Sequence, residues 1–147
     1  MSKSAQQLHN EVNRAIIKCR GVYAAWSKAH NISYNTMLVL YTIREYGHCT
    51  QKQLCDSYRL PRQTMNNIFT GMRNDGILTV DKDLSCGREK AFVLTEQGSI
   101  YAENLLRSLN ELEAKAAERM GEEKLCAMTK LVLEYDDIMA ECLAESE

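Results

Sequence analysis

The region 49–98 constrains the fold most, because signals for helix starts, helix ends and strands follow one another there in a fixed order. Thr50 and Gln53 form a capping box, in which the threonine hydroxyl accepts a hydrogen bond from a backbone N–H three residues later. This pattern predicts a short helix directly after Thr50. Pro61 keeps the residue before it out of helical conformation and predicts a second helix over 62–75. Two short helices joined by a tight turn are therefore expected.

Strand signals follow this second helix. Gly76 is a typical helix-ending residue, and the segments 77–80 and 90–94 are rich in β-branched and large apolar residues. A polar loop that contains Gly87 and Arg88 joins them, which predicts a hairpin. A helix, a turn, a helix and a hairpin in this order predict a winged helix-turn-helix, which is a DNA-binding module.

Long amphipathic helices are predicted on both sides of this module. Apolar residues recur at helical spacing over 8–30, Ser33 can cap a helix that Gly47 ends, and Thr95 can cap one that Gly121 closes. In the last helix the apolar positions alternate three and four residues apart, as in a coiled coil. These seam positions are Leu125, Met128, Val132, Tyr135, Met139 and Cys142.

The expected fold class is therefore mainly α with a small β-hairpin wing: a winged helix-turn-helix flanked by long dimerisation helices. We expect a single domain over 1–147, with the DNA-binding module at 33–95 and the dimerisation helices at 5–30 and 96–145. A module of about 50 residues buries little surface alone. Continuous apolar seams on the flanking helices therefore favour a homodimer.

Composition sets the broad class. The chain has 147 residues, of which 45% are hydrophobic and 26% are charged, as in ordinary globular proteins. It contains no apolar run long enough for a membrane span and no apolar core of a secretion signal near its start, so we expect a cytoplasmic protein without a membrane partner. The six cysteines include no Cys-x-x-Cys pair, and reduced thiols are expected.

The charge is unevenly distributed along the chain. The net charge is −2, but residues 1–47 carry +4, residues 48–94 carry +2 and residues 95–147 carry −8. A surface that faces phosphates can therefore exist on one side of the molecule only. The acidic final third is also compatible with a simple solvated helix face.

The predicted second helix of the module has two different faces. Met65, Ile68, Phe69 and Met72 lie on one side, and the opposite side is rich in amides and arginines. Such side chains pair with base edges in the major groove, whereas an ordinary solvated face more often carries Glu and Lys. The residues predicted to contact DNA from this helix are Arg62, Gln63, Thr64, Asn66, Asn67, Thr70 and Arg73. Near the hairpin tip, the predicted DNA contacts are Lys82, Arg88 and Lys90, which suit a minor groove.

Two segments carry a family resemblance. Arg88-x-x-x-x-x-Leu94-Thr95-x-x-Gly98 and Met72-x-x-x-Gly76-Ile77-Leu78 resemble the wing and the recognition-helix ending of the MarR family of bacterial transcriptional regulators. The similarity covers nearly the whole chain. It implies a homodimer that binds double-stranded DNA, with residues 62–67 in the major groove and Arg88 in the minor groove.

The resemblance also implies a repressor that responds to a small aromatic effector. The residues that can line such a pocket are Tyr23, Trp26, Tyr34, Met37 and Tyr41, for which an aromatic core is the other interpretation. The chain departs from the family pattern at Cys86, where the family has Asp, and at Asn67, where it often has Arg; Asp83 can substitute in orienting Arg88. The position of the family's peroxide-sensing Cys is His9 here, so that mechanism does not carry over.

Other functions have weaker support in the sequence. An enzyme is not expected, since the chain has no Gly-rich phosphate loop, no His-Glu-x-x-His and no nucleophile elbow. No cofactor is expected, and no metal either, because Cys49 and Cys55 near His48 are better explained as small core residues. Two alternatives stay open: a thiol-based redox sensor that uses Cys86, and a dimeric winged-helix adaptor whose acidic C-terminal helices contact another protein.

Overall fold

The structure, a computed structural model, describes residues 2–147. Within that range the elements in chain order are α1 (Ala5–Ala29), α2 (Tyr34–Tyr46), β1 (Cys49–Thr50), α3 (Gln51–Tyr58), α4 (Arg62–Asn74), β2 (Leu78–Cys86), β3 (Glu89–Leu94), α5 (Glu96–Met120) and α6 (Glu122–Ser146). The predicted class, mainly α with a small wing, is confirmed. No helix of residues 2–147 is both long and apolar enough to cross a membrane.

Side-chain caps fix several helix starts where the sequence predicted them. The Ser33 hydroxyl accepts from the backbone N–H of Thr36 at 3.0 Å, and the Thr50 hydroxyl accepts from that of Gln53 at 2.9 Å. Helix α2 ends at Gly47, whose φ of 82° is in the left-handed region that glycine favours. Pro61 is the N-cap of α4. The order of caps and breakers therefore sets the helix boundaries of the module.

Helix α1 begins at Ala5, the first residue of the predicted range 5–30. The Ser4 hydroxyl accepts from the backbone N–H of Gln7 at 3.2 Å, and the Gln7 side chain accepts from the backbone N–H of Ser4 at 2.8 Å. This is a complete capping box. The run of apolar positions starts only at Leu8, so this polar signal explains why the helix starts at Ala5.

The sheet is larger than the predicted hairpin. Its strand order is β1-β3-β2, and all pairings are antiparallel. The two-residue strand β1 pairs Cys49 with Phe92 and Thr50 with Ala91, so Thr50 acts as both strand and helix cap. The predicted polar loop between the strands was too long, because β2 continues to Cys86 and β3 begins at Glu89.

The core of the module joins α2, α3, α4 and the sheet. Its fully buried side chains include Leu40, Leu54, Met65 and Phe69. The rings of Phe69 and Phe92 lie 4.7 Å apart between centroids, at a tilted angle that aromatic pairs favour. This contact fixes the direction of α4 relative to the strand that leads out of the wing.

The Leu-Thr-x-x-Gly segment joins the end of the wing to α5. The Thr95 hydroxyl donates to the carbonyl of Gly76 at 2.6 Å and accepts from the backbone N–H of Gly98 at 2.9 Å. A Cβ atom at Gly98 would overlap the carbonyl oxygen of Ile77. The motif is therefore explained by close backbone packing, which only glycine permits at position 98.

The chain divides into two compact units, one up to Leu106 and one from Arg107 to Glu147. In the second unit, α6 has no buried residue. Its exposed large apolar side chains are Met128, Leu131, Val132, Leu133, Ile138, Met139 and Leu143. The assignment of module and dimerisation helices stays a prediction.

Candidate nucleic-acid interface

Helix α4 separates an apolar face from a polar one. Met65 and Phe69 are fully buried and Met72 nearly so, while Ile68 and Thr64 are half-buried. The exposed residues of the opposite face are Arg62, Gln63, Asn66, Asn67, Thr70 and Arg73. The helix contains no Asp or Glu. It therefore presents amides and arginines to solvent without a carboxylate that would repel phosphate.

Two contacts hold side chains of this polar face. The Gln63 side-chain amide donates to the Asn67 oxygen at 3.0 Å, one turn further along α4. The Arg73 guanidinium lies 5.9 Å from the centre of the Phe92 ring, a cation–π distance. Gln63 and Asn67 thus form a unit with free donors and acceptors, and Arg73 is held beside the wing strand.

The wing is shaped by a register shift in β2. Asp81 pairs with Ala91 and Cys86 pairs with Glu89, so the residues between Asp81 and Cys86 bulge from the ladder. The Asp81 carboxylate accepts from the backbone N–H groups of Asp83 and Leu84 at 2.9 and 3.1 Å. This local turn explains why a polar segment that looked like loop lies inside a strand.

Ser85 closes the bulge. Its hydroxyl donates to the Asp81 carbonyl at 2.6 Å and accepts from the backbone N–H of Ala91 at 3.0 Å. The hairpin then turns at Gly87, whose φ is 58°. Lys82 on the bulge is exposed, and so is Arg88 after the turn. The bulge and the turn therefore carry cations at the exposed end of the wing.

Arg88 is not oriented by an acidic neighbour as the sequence suggested. Cys86 stands where the family has Asp, and the expected substitute, Asp83, forms no ion pair with Arg88 within 4 Å in the described part of the chain. The side chain of Asp83 is exposed, and its backbone N–H is bound to Asp81. The Arg88 side chain instead borders a cleft.

This basic cleft, of about 150 Å³, lies between α3, the start of α4 and the wing. It brings together Arg62, Arg88 and Lys90, which the sequence suggested, and Lys52, which it did not. The complete lining is Gln51, Lys52, Cys55, Arg62, Arg88, Glu89, Lys90 and Phe92. The place of Lys52 at the second residue of a capped helix was the only signal that could have indicated it.

Lys52 is held by an acidic neighbour on its own helix. Its ammonium contacts the Asp56 carboxylate at 2.6 Å, one turn further along α3. The hydrogen bond and charge of Asp56, with a smaller effect from Glu89, raise the pKa of Lys52 above its ordinary value. Lys52 therefore stays positively charged through the physiological range.

Solved structures of MarR family regulators share this architecture. No family model and no curated protein sequence matches the chain. A MarR family regulator from Neisseria meningitidis is 25% identical, with a TM-score of 0.84, over 96% of this chain and 99% of that one. The chain therefore has the fold of the MarR family regulators.

More distant MarR-type structures share the fold. NadR, solved with 4-hydroxyphenylacetate, is 20% identical, with a TM-score of 0.74, over 92% of this chain and 95% of that one. A MarR family regulator from Listeria monocytogenes, solved with a 26mer DNA, is 17% identical, with a TM-score of 0.67, over 95% of this chain and 91% of that one.

The aromatic residues suggested for a MarR-type effector pocket are spread over several environments. Met37 is buried, and Trp26 is nearly so, stacked on the His30 ring at 4.3 Å. Tyr23 and Tyr41 are half-buried. Arg44 lies 5.4 Å from the centre of the Tyr41 ring. Met37 and Trp26 therefore belong to the packed interior rather than to an open cavity.

Tyr34 is the member of this group that borders an open cleft. The Arg20 guanidinium lies 5.4 Å from the centre of the Tyr34 ring. Both residues line a cleft of about 290 Å³ between α1 and α2, together with Ile17, Gly21 and Ala24. An aromatic ring beside an arginine suits a small aromatic acid.

A larger groove that the sequence did not indicate runs along α4. It measures about 520 Å³ and is lined by the start of α2, by α4 and by Tyr101 of α5. Gly71 borders it, and nothing lies within 4 Å of where a Cβ atom would stand there. Gly71 therefore faces open space.

The cysteines of this chain are free thiols. Burial raises the pKa of the Cys49 thiol to about 12, because the apolar interior disfavours the thiolate. Cys55 borders the basic cleft, and Cys86 is exposed at the wing turn. In residues 2–147 no group of three or more His, Cys, Asp or Glu side chains could hold a metal ion.

Proposed function

We propose that the chain is a sequence-specific DNA-binding transcriptional regulator that acts as a homodimer, with α4 in the major groove and the wing in the minor groove. The observation that carries this proposal is the exposed face of amides and arginines on α4, next to a hairpin with exposed cations. The related regulator solved with a 26mer DNA supports it.

The residues divide by the kind of contact they can make. Asn66, Asn67 and Gln63 carry amides that can pair with adenine in the major groove, and Arg73 can pair with guanine or phosphate. Arg88 is an exposed cation that can enter a minor groove, where the negative potential attracts arginine. The remaining residues proposed to contact DNA are Arg62, Thr64, Thr70, Lys82 and Lys90.

The homodimer is supported by the C-terminal helix. Helix α6 exposes a row of large apolar side chains, which a second copy of the chain would cover. A twofold dimer would present two copies of α4 to one face of a duplex. Half-sites about 10 base pairs apart and related by a pseudo-palindrome are then expected.

We further propose that the regulator is a repressor that responds to a small aromatic molecule. NadR was solved with 4-hydroxyphenylacetate, and a Staphylococcus aureus MarR with salicylate and kanamycin. The cleft at Arg20 and Tyr34 and the groove along α4 offer space for such a molecule. A ligand in the groove would contact Asn67 directly and so change how α4 meets a base.

The test distinguishes a residue that neutralises phosphate charge from a residue that contacts a base. Arg88→Ala should weaken binding to cognate and random duplex DNA alike, because one phosphate-neutralising cation is lost. The slope of log affinity against log salt concentration should fall in magnitude by about one. Asn66→Ala should cost about 1–3 kcal/mol at the cognate site only. Arg14→Ala, an exposed cation change on α1, serves as the control for total charge.

Titrations at several salt concentrations decide the outcome. If Arg88→Ala changed neither affinity nor slope, the wing would not contact DNA, and the protein–protein adaptor would become the better hypothesis. If the wild-type chain bound neither cognate nor random DNA, the proposal would be wrong.

A redox response is a second candidate, supported by the exposed free thiol of Cys86 beside Arg88. If Cys86 senses oxidants, peroxide should weaken DNA binding by the wild-type chain and leave Cys86→Ser unaffected. Retention of the peroxide response in Cys86→Ser would assign it to another thiol.

A further inference from the structure

The basic cleft contains one carboxylate among four cations. Lys52, Arg62, Arg88 and Lys90 border it, and Glu89 lies between the last two in the chain. Glu89 begins β3 directly after the wing turn and is half-buried. Glu89 therefore lines the cleft as a less exposed residue than its neighbours Arg88 and Lys90.

Glu89 acts on the cleft through its charge rather than through a fixed ion pair. No cation lies within 4 Å of its carboxylate among residues 2–147. Glu89 is nevertheless close enough to Lys52 to contribute to that residue's raised pKa. At physiological ionic strength an electrostatic interaction extends over about 8 Å. Any anion bound in the cleft will therefore be repelled by the Glu89 carboxylate.

Four cations from three elements suit a phosphate. Arg62 and Arg88 each carry a planar fork that can donate two hydrogen bonds to one oxyanion, and Lys90 adds a point charge. Lys52 contributes less, because Asp56 already contacts its ammonium. The cleft lies between the start of α4 and the wing, the two parts that the proposed function places on DNA. A backbone phosphate between the major-groove and minor-groove contacts is the anion that this position favours.

We propose that the basic cleft binds one phosphate of the DNA backbone and that Glu89 weakens this contact by repelling the phosphate. The proposal rests on the proposed DNA-binding function. Because phosphate contacts carry no base information, Glu89 lowers the affinity for cognate and random DNA by the same factor. The residue therefore sets how tightly the protein binds DNA, and not which sequence it prefers.

The first test replaces the carboxylate by its neutral isostere. Glu89→Gln should bind cognate and random duplexes about fivefold more tightly at low salt, as removal of one repulsive charge at a surface predicts. The gain should shrink as salt is raised. Glu103→Gln, which removes an exposed carboxylate of α5, should leave the affinity unchanged. Glu89→Asp should retain wild-type affinity, since it keeps the charge.

Equal affinities of Glu89→Gln and Glu103→Gln would overturn the role of Glu89. A gain for the cognate duplex alone would also overturn it, because it would indicate a base contact. Melting curves accompany the titrations, and a Glu89→Gln gain at unchanged melting temperature supports a charge effect over a structural one.

The second test uses inorganic phosphate, without DNA. Phosphate is titrated against chloride at constant ionic strength, and backbone amide NMR signals of the wild-type chain and of Glu89→Gln are followed. Saturable shifts confined to the cleft, with tighter binding in Glu89→Gln, support the anion site. Shifts that match those in chloride overturn it. If phosphate binds the cleft but the wild-type chain binds no duplex, the anion site stands while DNA as the source of the phosphate, and the proposed function, are overturned.

Discussion

The winged module buries many of its large apolar side chains, whereas the C-terminal helix α6 exposes its own. In the module, Leu54, Met65 and Phe69 are fully buried, and each helix contributes side chains to one shared core. Helix α6 also contains many apolar residues but buries none of them, and Leu131 and Leu143 are more than 60% exposed. The module can be understood from its own contacts, whereas α6 leaves its large apolar side chains exposed.

This difference predicts that substitutions in the module and in α6 affect different properties of the protein. A core of interlocked side chains responds to changes of a single methyl group, so the module should be sensitive to small steric changes. An exposed apolar helix is indifferent to such changes until a second surface covers it. Substitutions in the two regions should therefore differ in what they affect: folding in one, and association in the other.

The largest expected effect is on the mass of the protein. Light scattering at micromolar concentration should give about twice the 16.8 kDa of one chain, because burial of the α6 seam favours a dimer at about 25 cal/mol per Å². Val132→Glu places a charge in that seam and should return the mass to that of one chain.

Lys130→Glu, which adds negative charge to α6 away from the seam, is the matched control and should leave the dimer intact. A wild-type chain that is folded and monomeric at micromolar concentration would refute the comparison, since α6 would then be stable with its apolar side exposed.

The next effect is steric and belongs to the module. Gly98→Ala should lower the free energy of unfolding by about 3 kcal/mol, the upper part of the range for overpacking, because the added methyl group overlaps the Ile77 carbonyl. Gly71→Ala, where the methyl group meets open space, should raise it by about 1 kcal/mol through helix propensity. Denaturant titration measures both, and equal effects of the two substitutions would contradict the packing described at Gly98.

The parts of the structure that the sequence predicted depend on local chemistry. Thr50, Pro61 and Gly47 each act on the few residues next to them, and their caps and breakers lie where they were expected. The length of β2 was missed because it depends on Asp81 and Ser85, whose side chains replace missing ladder contacts across the hairpin. These side-chain hydrogen bonds can be recognised only once the pairing of the strands is known.

The candidate site shows the same limit. The polar face of α4 follows from helical spacing alone, so Arg62, Asn66 and Asn67 could be selected from the sequence. The approach of Lys52 to Glu89 on the wing depends on how α3 packs against β3, which spacing does not encode. The groove beside Gly71 likewise arises between elements distant in sequence.

A smaller effect concerns pH and contrasts two thiols. The Cys49 pKa is raised by burial from 9.0 to about 12, so the folded state holds the proton after the unfolded state has lost it. Stability from this group is therefore complete below pH 9 and is lost as the pH rises from 9 towards 12. At pH 10 the loss is about 1.4 kcal/mol. It should be absent in Cys49→Ala, while Cys142→Ala, at an exposed position of α6, should show the wild-type loss in alkaline denaturation curves.

The smallest expected effects compare how α3 and α6 begin. The Thr50 hydroxyl caps α3 through the backbone N–H of Gln53, so Thr50→Ala should lower the free energy of unfolding by about 1 kcal/mol at any salt concentration. Helix α6 has Gly121 at its N-cap and no side-chain cap, and Glu122 in its first turn interacts with the helix dipole instead. Glu122→Gln should therefore cost about 0.5 kcal/mol at low salt and less at high salt, because this interaction is screened. Denaturant titrations at two salt concentrations distinguish the two, and a cost for Thr50→Ala that vanished at high salt would show that the cap is not the source of its stability.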